Sequence, residues 1–197
     1  MGYNKNDFYF KKAKSENYLA RSVYKLQEID EKYRIFKNGQ TIIDLGASPG
    51  SWSQYASKKI GPSGKILGID LTPMDLSLNN AIFITGDIET VDFSQILKEN
   101  NVAVPVDIVM SDMAPKTTGI KSADQARSAA LCEMALYVAV NNLKAGGCFV
   151  CKLFHSNDFE TLRNSMRKNF KTVTALKPKG TRQESKEIFL IGLGFHS

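Results

Sequence analysis

The sequence predicts a single α/β domain in which helices cover both faces of a mostly parallel sheet. Its 197 residues, 43% of them hydrophobic and 23% charged, suffice for one domain with a substantial core. Apolar runs of strand length alternate along the chain with stretches of helical period. Because these runs are apolar on both faces, they are typical of buried parallel strands. Their alternation with helices indicates a doubly wound sheet.

The predicted domain spans residues 1–197, with a basic N-terminal segment and helix in residues 1–38 and an α/β core in residues 39–197. The N-terminal helix is expected within residues 18–36, where apolar side chains recur at helical spacing: Leu19, Val23, Leu26 and Ile29. Asn38-Gly39 is expected to end this helix, because both residues favour turns.

In the core, seven strands are predicted at residues 41–47, 65–71, 81–87, 105–113, 147–154, 171–176 and 187–195. Helices are predicted at residues 51–60, 93–99, 123–143 and 159–169. The last two strands have no long helix between them, so we expect them to run antiparallel to each other.

The composition argues against membrane, secreted and metal-binding classes. No run of about 18 or more apolar residues is present, and residues 1–15 lack the apolar middle of a secretory signal. We expect an intracellular monomer, in the cytoplasm or, if a leader has been removed, in a mitochondrion or plastid. Cys148 and Cys151 form a C-x-x-C, but residues three apart in a strand face opposite sides, so both are interpreted as core residues and no metal site is predicted.

The charge is distributed unevenly along the chain. Residues 1–40 hold nine Lys/Arg against five Asp/Glu, residues 41–140 hold seven against eleven, and residues 141–197 hold ten against four. An acidic middle between basic ends is what a nucleic-acid enzyme shows if its ends bind phosphate. Ordinary solvated lysines would give the same composition, so the charge alone does not decide the function.

The first predicted strand runs into a loop, D-L-G-A-S-P-G-S-W at residues 44–52, that has the features of a ligand site. In open α/β sheets the ligand binds beyond the carboxyl ends of the strands. Gly46 and Gly50 let the backbone approach a ligand closely, and a helix N-terminus follows. Pro49 breaks the pattern of a dinucleotide-binding turn, which disfavours a nicotinamide-dependent oxidoreductase and favours a nucleoside that carries an amino acid.

Three aspartates follow at the ends of successive predicted strands. Asp70 ends the second strand, where a carboxylate can accept hydrogen bonds from ribose hydroxyls. Asp87 ends the third, where an acceptor can meet an adenine amino group, and Asp112 ends the fourth. Because these ends meet at one edge of the sheet, the three carboxylates are interpreted as one binding site.

With these residues the chain resembles the FtsJ (RrmJ) family of ribose 2′-O-methyltransferases over nearly its whole length. The resemblance is carried by RSVYKL (21–26), DLGASPGSWSQ (44–54), IDLTPMD (69–75), GD (86–87), MSDMAP (110–115), VCKLF (150–154) and SKEIFL (185–190). It implies the Rossmann-like methyltransferase fold, with a seven-stranded sheet whose last strand is antiparallel.

The resemblance also implies that the cofactor is S-adenosyl-L-methionine, abbreviated SAM. The residues expected to bind it are Gly46, Ala47, Pro49, Gly50, Trp52, Asp70, Leu71, Asp87, Ile88 and Asp112. It further implies a catalytic tetrad, which maps onto Lys25, Asp112, Lys152 and Glu187.

The tetrad suits the attack of a ribose hydroxyl on a sulfonium methyl group. The hydroxyl is a weak acid and needs a partner that takes its proton or stabilises the growing alkoxide. Lys152 is the expected general base or alkoxide stabiliser, because a partly desolvated lysine beside a second cation such as Lys25 can lose its proton near neutrality. Asp112 and Glu187 are expected to orient the lysines and the methyl donor.

The expected partner is ribosomal RNA, within the large ribosomal subunit or its precursor, with a uridine ribose as acceptor. Phosphate contacts are expected from seven basic residues: Lys11, Lys12, Lys14, Arg21, Lys177, Lys179 and Arg182. Alternative acceptors are a transfer-RNA anticodon loop or an mRNA cap. An alternative of another class is a ribosome-assembly factor that binds RNA without catalysis.

Overall fold

The computed structural model describes residues 8–178 and 187–196. The strands of this part of the chain are β1 (Thr41–Leu45), β2 (Lys65–Asp70), β3 (Ala81–Thr85), β4 (Val106–Ser111), β5 (Leu143–Phe154), β6 (Phe170–Leu176) and β7 (Glu187–Phe195). They form one seven-stranded sheet in the order β3-β2-β1-β4-β5-β7-β6. Strand β7 pairs antiparallel with both β5 and β6, whereas the pairs among β1 to β5 are parallel. The predicted mostly parallel sheet with an antiparallel last strand is thereby confirmed.

The helices are α1 (Phe8–Ser15), α2 (Val23–Tyr33), α3 (Ser51–Ile60), α4 (Phe93–Glu99), α5 (Lys121–Asn142) and α6 (Asp158–Arg167). The helices lie on the two faces of the sheet, and each face has its own apolar core. Helices α1, α2 and α3 pack on one face, and α4, α5 and α6 pack on the other. Helices on both faces explain why the central strands are apolar on both sides, and the predicted doubly wound arrangement is confirmed.

The N-terminal region differs from the prediction of one helix in residues 18–36. Helix α2 begins only at Val23, because the chain turns over residues 20–22 and the Leu19 N–H donates instead to Gln54 Oε1 at 3.0 Å. It ends at Tyr33, before Asn38-Gly39, since Arg34 adopts a left-handed conformation with φ 51°. Helix α1 was not predicted, because its sequence carries no apolar period.

The predicted strand ends also run slightly too far. The runs at 41–47, 65–71, 81–87 and 105–113 leave the sheet at Leu45, Asp70, Thr85 and Ser111. The remaining residues of each run form loops at the carboxyl edge. They were assigned to strands because short apolar or acidic loop residues do not interrupt an apolar pattern.

Two of the three cysteines occupy opposite faces of β5. Cys148 is buried in the core beside α2 and α3, and Cys151 is buried in the core beside α5. Burial raises the pKa of Cys148 to about 12, as expected for an unreactive thiol. The interpretation of both residues as core residues is confirmed. In the described part of the chain, no helix has the length and apolar content needed to cross a membrane.

The register of the sheet brings charged strand ends to one edge. Leu45 pairs with Ser111 and Ser111 pairs with Cys151, so Asp112 and Lys152 follow at the same level. Because β7 is antiparallel, its first residue, Glu187, pairs with Phe154 at the end of β5. The strand ends at the carboxyl edge therefore form the candidate site.

Candidate active site

An open cleft of about 810 Å³ lies at the carboxyl edge of the sheet, and we call it the strand-end cleft. The loops after β1 to β4 form one wall, and the N-terminal half of α5 forms the other. Of the residues expected to bind the cofactor, six line this cleft: Gly46, Asp70, Leu71, Asp87, Ile88 and Asp112. The structure thus brings together side chains from four loops that the sequence placed at separate strand ends.

Gly46 shapes the cleft where β1 leaves the sheet. Its φ of +73° is a left-handed conformation that favours glycine. A Cβ atom at this position would lie 2.6 Å from Met113 Cγ, so a larger residue would displace the opposite loop. The Gly46 N–H donates to the carbonyl oxygen of Ile69 at 2.9 Å, which anchors the turn to β2.

Backbone hydrogen bonds fix the two aspartates at the far end of the cleft. Asp70 accepts from the Ser48 N–H at 2.9 Å and from the Thr72 N–H at 2.7 Å, and so it joins the loop after β1 to the loop after β2. Asp87 accepts from the Glu89 N–H at 3.0 Å. Each carboxylate oxygen retains a second lone pair, so both side chains can still accept bonds from a ligand.

The other four predicted cofactor residues do not line the cleft. Ala47 is buried behind it, and Pro49 is exposed on the loop. Gly50 has φ +113°, and a Cβ there would lie 2.3 Å from Leu76 Cδ2. Trp52 is buried and donates its indole N–H to the Ser22 carbonyl oxygen at 3.0 Å. These residues hold the loop between α2, α3 and the segment after β2.

Four charged residues at the end of the cleft form what we call the paired-lysine site: Lys25, Asp112, Lys152 and Glu187. Lys152 is buried, and its Nζ lies 2.9 Å from Asp112 Oδ1. The same Nζ donates a hydrogen bond to the Asp112 carbonyl oxygen. Since Asp112 also lines the cleft, Lys152 is held one residue away from the ligand space.

Lys25 forms the second ion pair of this site. Its Nζ donates to Glu187 Oε2, which joins α2 to the first residue of β7. Lys25 is buried, and its Nζ lies 5.9 Å from the centre of the Phe189 ring. Phe189 is the register partner of Lys152 on the neighbouring strand. The four predicted tetrad residues therefore converge, with each lysine paired to its own carboxylate.

Asp44 is a buried acid next to the site that was not named as a site residue. Its Oδ2 accepts from Ser53 Oγ at 2.6 Å, and its Oδ1 has no hydrogen-bond partner among the described residues. Burial raises the pKa of Asp44 to about 7, the Ser53 hydrogen bond opposes this, and the charges of Asp112 and Asp70 add to it. The sequence signal was present, since Asp44 opens the loop that was singled out.

The loop after β4 completes the wall of the cleft. Asp124, near the start of α5, accepts from the Thr118 N–H at 2.7 Å and from the Thr118 hydroxyl at 2.8 Å. These bonds fix the segment that carries Met113 and Lys116 into the lining. Four lining residues on α5 were not predicted: Arg127, Ala130, Leu131 and Met134. Their spacing places them on one helix face, but an amphipathic pattern does not distinguish a cleft wall from a core.

The predicted RNA-binding residues are only partly free for that role. Lys11 and Lys14 are exposed on α1, and Lys177 is exposed after β6. Lys12 lies 4.6 Å from the centre of the Tyr24 ring and 3.8 Å from Glu16. The remaining predicted residues are placed as follows: Arg21 is half-buried before α2, and Lys179 and Arg182 lie outside the described residues. Nowhere in the described ranges do three or more His, Cys, Asp or Glu side chains gather as metal ligands would.

The chain is similar over most of its length to several known proteins. The chain is 60% identical over 193 residues, covering 98% of both proteins, to a protein of Bdellovibrio bacteriovorus named ribosomal RNA large subunit methyltransferase E. A protein of the same name from Oleidesulfovibrio alaskensis is 52% identical, over 96% of this chain and 91% of its own. A crystal structure from Plasmodium falciparum, assigned as a ribosomal RNA methyltransferase, superposes with a TM-score of 0.81 at 30% identity, over 90% of this chain and 98% of its own. The sequence profile of FtsJ-like methyltransferases matches residues 18–195, and the chain belongs to this family.

Proposed function

We propose that the protein transfers a methyl group from SAM to a ribose 2′-hydroxyl of large-subunit ribosomal RNA, with a uridine as the acceptor nucleotide, and that it acts as a monomer. Membership of the methyltransferase family and the names of its relatives support the reaction and the substrate. The observation that carries the proposal is the position of Asp112, which lines the strand-end cleft and also holds the Lys152 ammonium.

The residues of the strand-end cleft fit SAM. Asp70 and Asp87 both line the cleft and offer carboxylate oxygens that can accept hydrogen bonds from ribose hydroxyls and an adenine amino group. Leu71, Ile88 and Met113 supply apolar walls suited to an adenine ring between them. When bound, SAM supplies a methyl group on a positively charged sulfur. An acidic cleft stabilises that charge.

We assign to Lys152 the action on the attacking hydroxyl. As the ribose oxygen bonds to the methyl carbon, the carbon–sulfur bond breaks and the hydroxyl proton must leave. As a neutral amine, Nζ of Lys152 takes this proton. As an ammonium, it donates a hydrogen bond to the developing alkoxide while the proton passes to solvent water. Both roles require Nζ beside the 2′-oxygen. Asp112 fixes the position of Nζ, because its carbonyl oxygen accepts a hydrogen bond from Nζ and its carboxylate forms an ion pair with it, so much of the gain in rate would be positional.

In this proposal the Lys25–Glu187 pair borders the space in which the acceptor ribose binds, on the side opposite Lys152. We call this space the acceptor space. Glu187 lies at the start of β7, and the ion pair holds α2 against that strand. Because Lys25 lies against the Phe189 ring, which packs 5.7 Å from Trp52, the pair also joins the acceptor space to the loop after β1. We assign it the role of orienting the ribose.

Exposed lysines near this edge would hold the RNA backbone. Lys11 and Lys14 on α1, and Lys177 after β6, have their side chains in solvent, where they can neutralise phosphates. Phosphate contacts position the substrate and do not select its sequence. RNA affinity should therefore fall steeply with salt, and an affinity that is equal at low and physiological salt would contradict this assignment.

The proposal is tested by transfer of labelled methyl groups from SAM to isolated ribosomal particles and, separately, to transfer RNA. We expect label in large-subunit RNA, at a ribose that becomes resistant to alkaline cleavage on its 3′ side. Label in transfer RNA alone would refute the substrate. Equal transfer by Lys152→Ala and the unchanged protein would refute the mechanism. RNA binding without any transfer would favour an assembly factor.

A further inference from the structure

Helix α1 exposes two aromatic rings that the proposed reaction does not use. Phe8 is 69% exposed and Phe10 is 42% exposed. Phenylalanine is mostly buried in folded proteins, and single exposed apolar residues need no explanation. Here two exposed rings lie within three residues, on a helix that also carries three lysines and no acidic residue.

Helix α1 is anchored, so its rings are presented from a fixed position. Tyr9 packs against Tyr24 with ring centres 5.4 Å apart, and Ala13 is buried in the core below α2. The Tyr24 hydroxyl donates to Glu16 Oε2 at 3.0 Å just after the helix. Tyr24 is the residue before Lys25 in α2. The anchor of α1 is therefore adjacent in the chain to the paired-lysine site.

The positions of the two rings argue against an apolar partner surface. Residues two apart on a helix are separated by about 200° around its axis. Phe8 and Phe10 therefore lie on opposite flanks of the stripe formed by Tyr9 and Ala13, which faces α2. A membrane surface or a hydrophobic protein groove needs its apolar contacts on one face. Rings on two separate flanks of the helix are instead suited to contact two separate flat ligands.

Each flank pairs a ring with a cation. Lys11 is three residues after Phe8, and Lys14 is four residues after Phe10, so each lysine lies on the same side of the helix as one ring. Both lysines are exposed, whereas Lys12 is engaged by Glu16 and by the Tyr24 ring. An aromatic ring next to a free cation is the combination that binds an unpaired base together with its phosphate.

We propose that Phe8 and Phe10 stack on unpaired bases of the acceptor RNA near the nucleotide to be methylated, while Lys11 and Lys14 neutralise the adjoining phosphates. This rests on the proposed function, which makes RNA the acceptor. Stacking on Phe8 and Phe10 then adds a requirement that phosphate contacts cannot impose. The RNA must have unstacked bases where it meets α1. A continuous double helix would not satisfy it.

The test measures binding of isolated large ribosomal subunits that lack the methyl group at several salt concentrations, together with steady-state methylation of the same particles. We expect the double variant Phe8→Ala/Phe10→Ala to raise the RNA Kd and KM by roughly tenfold per ring, with an unchanged salt slope. Lys11→Gln/Lys14→Gln should instead lower the salt slope by about one to two. SAM affinity and kcat at saturating RNA should stay unchanged in both. The matched control is Tyr137→Ala, which removes an aromatic ring that is 71% exposed on α5.

A second pair of variants separates stacking from general apolar contact. Phe8→Tyr/Phe10→Tyr keeps the rings and should retain RNA affinity, whereas Phe8→Leu/Phe10→Leu should lose it. Retained affinity in the leucine variant, or an unchanged KM in the alanine variant of a protein that methylates RNA, overturns this inference alone. An unchanged protein that methylates no RNA overturns the proposed function and the inference with it.

Discussion

The strand-end cleft and the paired-lysine site share Asp112, but they are assembled over different distances along the chain. In the cleft, aspartates are fixed by backbone groups at most 22 residues away: Asp87 accepts from the N–H two residues later, and Asp70 accepts from the Thr72 and Ser48 N–H groups. In the paired-lysine site, Lys25 and Glu187 are 162 residues apart, and Lys152 and Asp112 are 40 apart. The first therefore depends on local loop geometry, and the second depends on the register of the whole sheet.

On the proposed function, this difference corresponds to a division between binding and catalysis. Variants in the strand-end cleft should weaken the donor complex and leave the chemical step intact. Variants in the paired-lysine site should slow the reaction and loosen the fold, because they remove ion pairs that join distant elements. The variants below test that division in order of decreasing expected effect.

Lys152→Ala should reduce kcat about 10³-fold, because it removes the group that acts on the attacking oxygen. SAM affinity should stay unchanged, since Lys152 does not line the strand-end cleft. Steady-state methylation and equilibrium SAM binding measure the two quantities. The control is Lys144→Ala, which removes a lysine of the same strand that pairs with Asp107 at the opposite edge. A kcat near that of the unchanged protein would contradict the assignment of Lys152 to the chemical step.

The buried carboxyl of Asp44 should make stability depend on pH. With its pKa raised to about 7, the folded chain keeps a proton that the unfolded chain loses near pH 4. This contribution to the free energy of unfolding is thus full below about pH 4 and is lost as pH rises to about 7, by about 1.4 kcal/mol per pH unit. For Asp44→Asn, the free energy of unfolding measured with urea should not show this fall with pH.

The control for that measurement is Asp75→Asn, which changes an exposed acid on the loop after β2. Its pH dependence should match that of the unchanged protein. If Asp44→Asn also follows the unchanged protein between about pH 4 and 7, the burial of Asp44 does not control its protonation.

Asp70→Ala should raise the Kd for SAM by about 10- to 100-fold, since it removes a charged acceptor and two loop hydrogen bonds. The value of kcat at saturating SAM should change much less, because Asp70 does not reach the reacting oxygen. Calorimetric SAM binding and methylation rates give the comparison, with Asp75→Ala as the matched control. A fall in kcat with an unchanged Kd would show that the cleft also takes part in the chemical step.

The smallest expected effect is the coupling between Lys25 and Glu187. A cycle of Lys25→Met, Glu187→Gln and the double variant should show a coupling of about 1–2 kcal/mol in the free energy of unfolding. The exposed pair Lys12–Glu16, 3.8 Å apart, serves as the control and should show less than about 0.5 kcal/mol. Equal couplings would mean that the buried pair does not join α2 to β7.

The alternation of strands and helices could be predicted because each element has a local apolar pattern. Helix α1 could not, since its three consecutive aromatic residues show no helical period and it is held by the distant Tyr24. The start of α2 was misplaced because Leu19 fits the apolar spacing, yet its N–H bonds to Gln54. Propensity gave the type of element, and tertiary contacts decided the bounds.

The candidate site shows the same limit. Asp70, Asp87 and Asp112 could be located because each ends a recognisable strand. The resemblance to a family supplied Lys25 and Glu187, which no local pattern marks. Asp112 and Glu187 were expected to orient the lysines, but the sequence did not indicate which carboxylate pairs with which lysine; the structure pairs Lys25 with Glu187 and Lys152 with Asp112. The burial of Trp52 between α2 and Phe189 also could not be predicted from the spacing of residues in the sequence.

The antiparallel direction of β7 has a consequence for the timing of protein synthesis. This strand is the last in chain order among the described residues, yet it is inserted between β5 and β6. Its first residue, Glu187, completes a site whose other members precede it by 35 residues or more, Lys152 being the nearest. A growing chain therefore emerges with its lysines and without their last partner. On the proposed assignment, the paired-lysine site is complete only when β7 has joined the sheet, so a chain without β7 would lack one member of the tetrad.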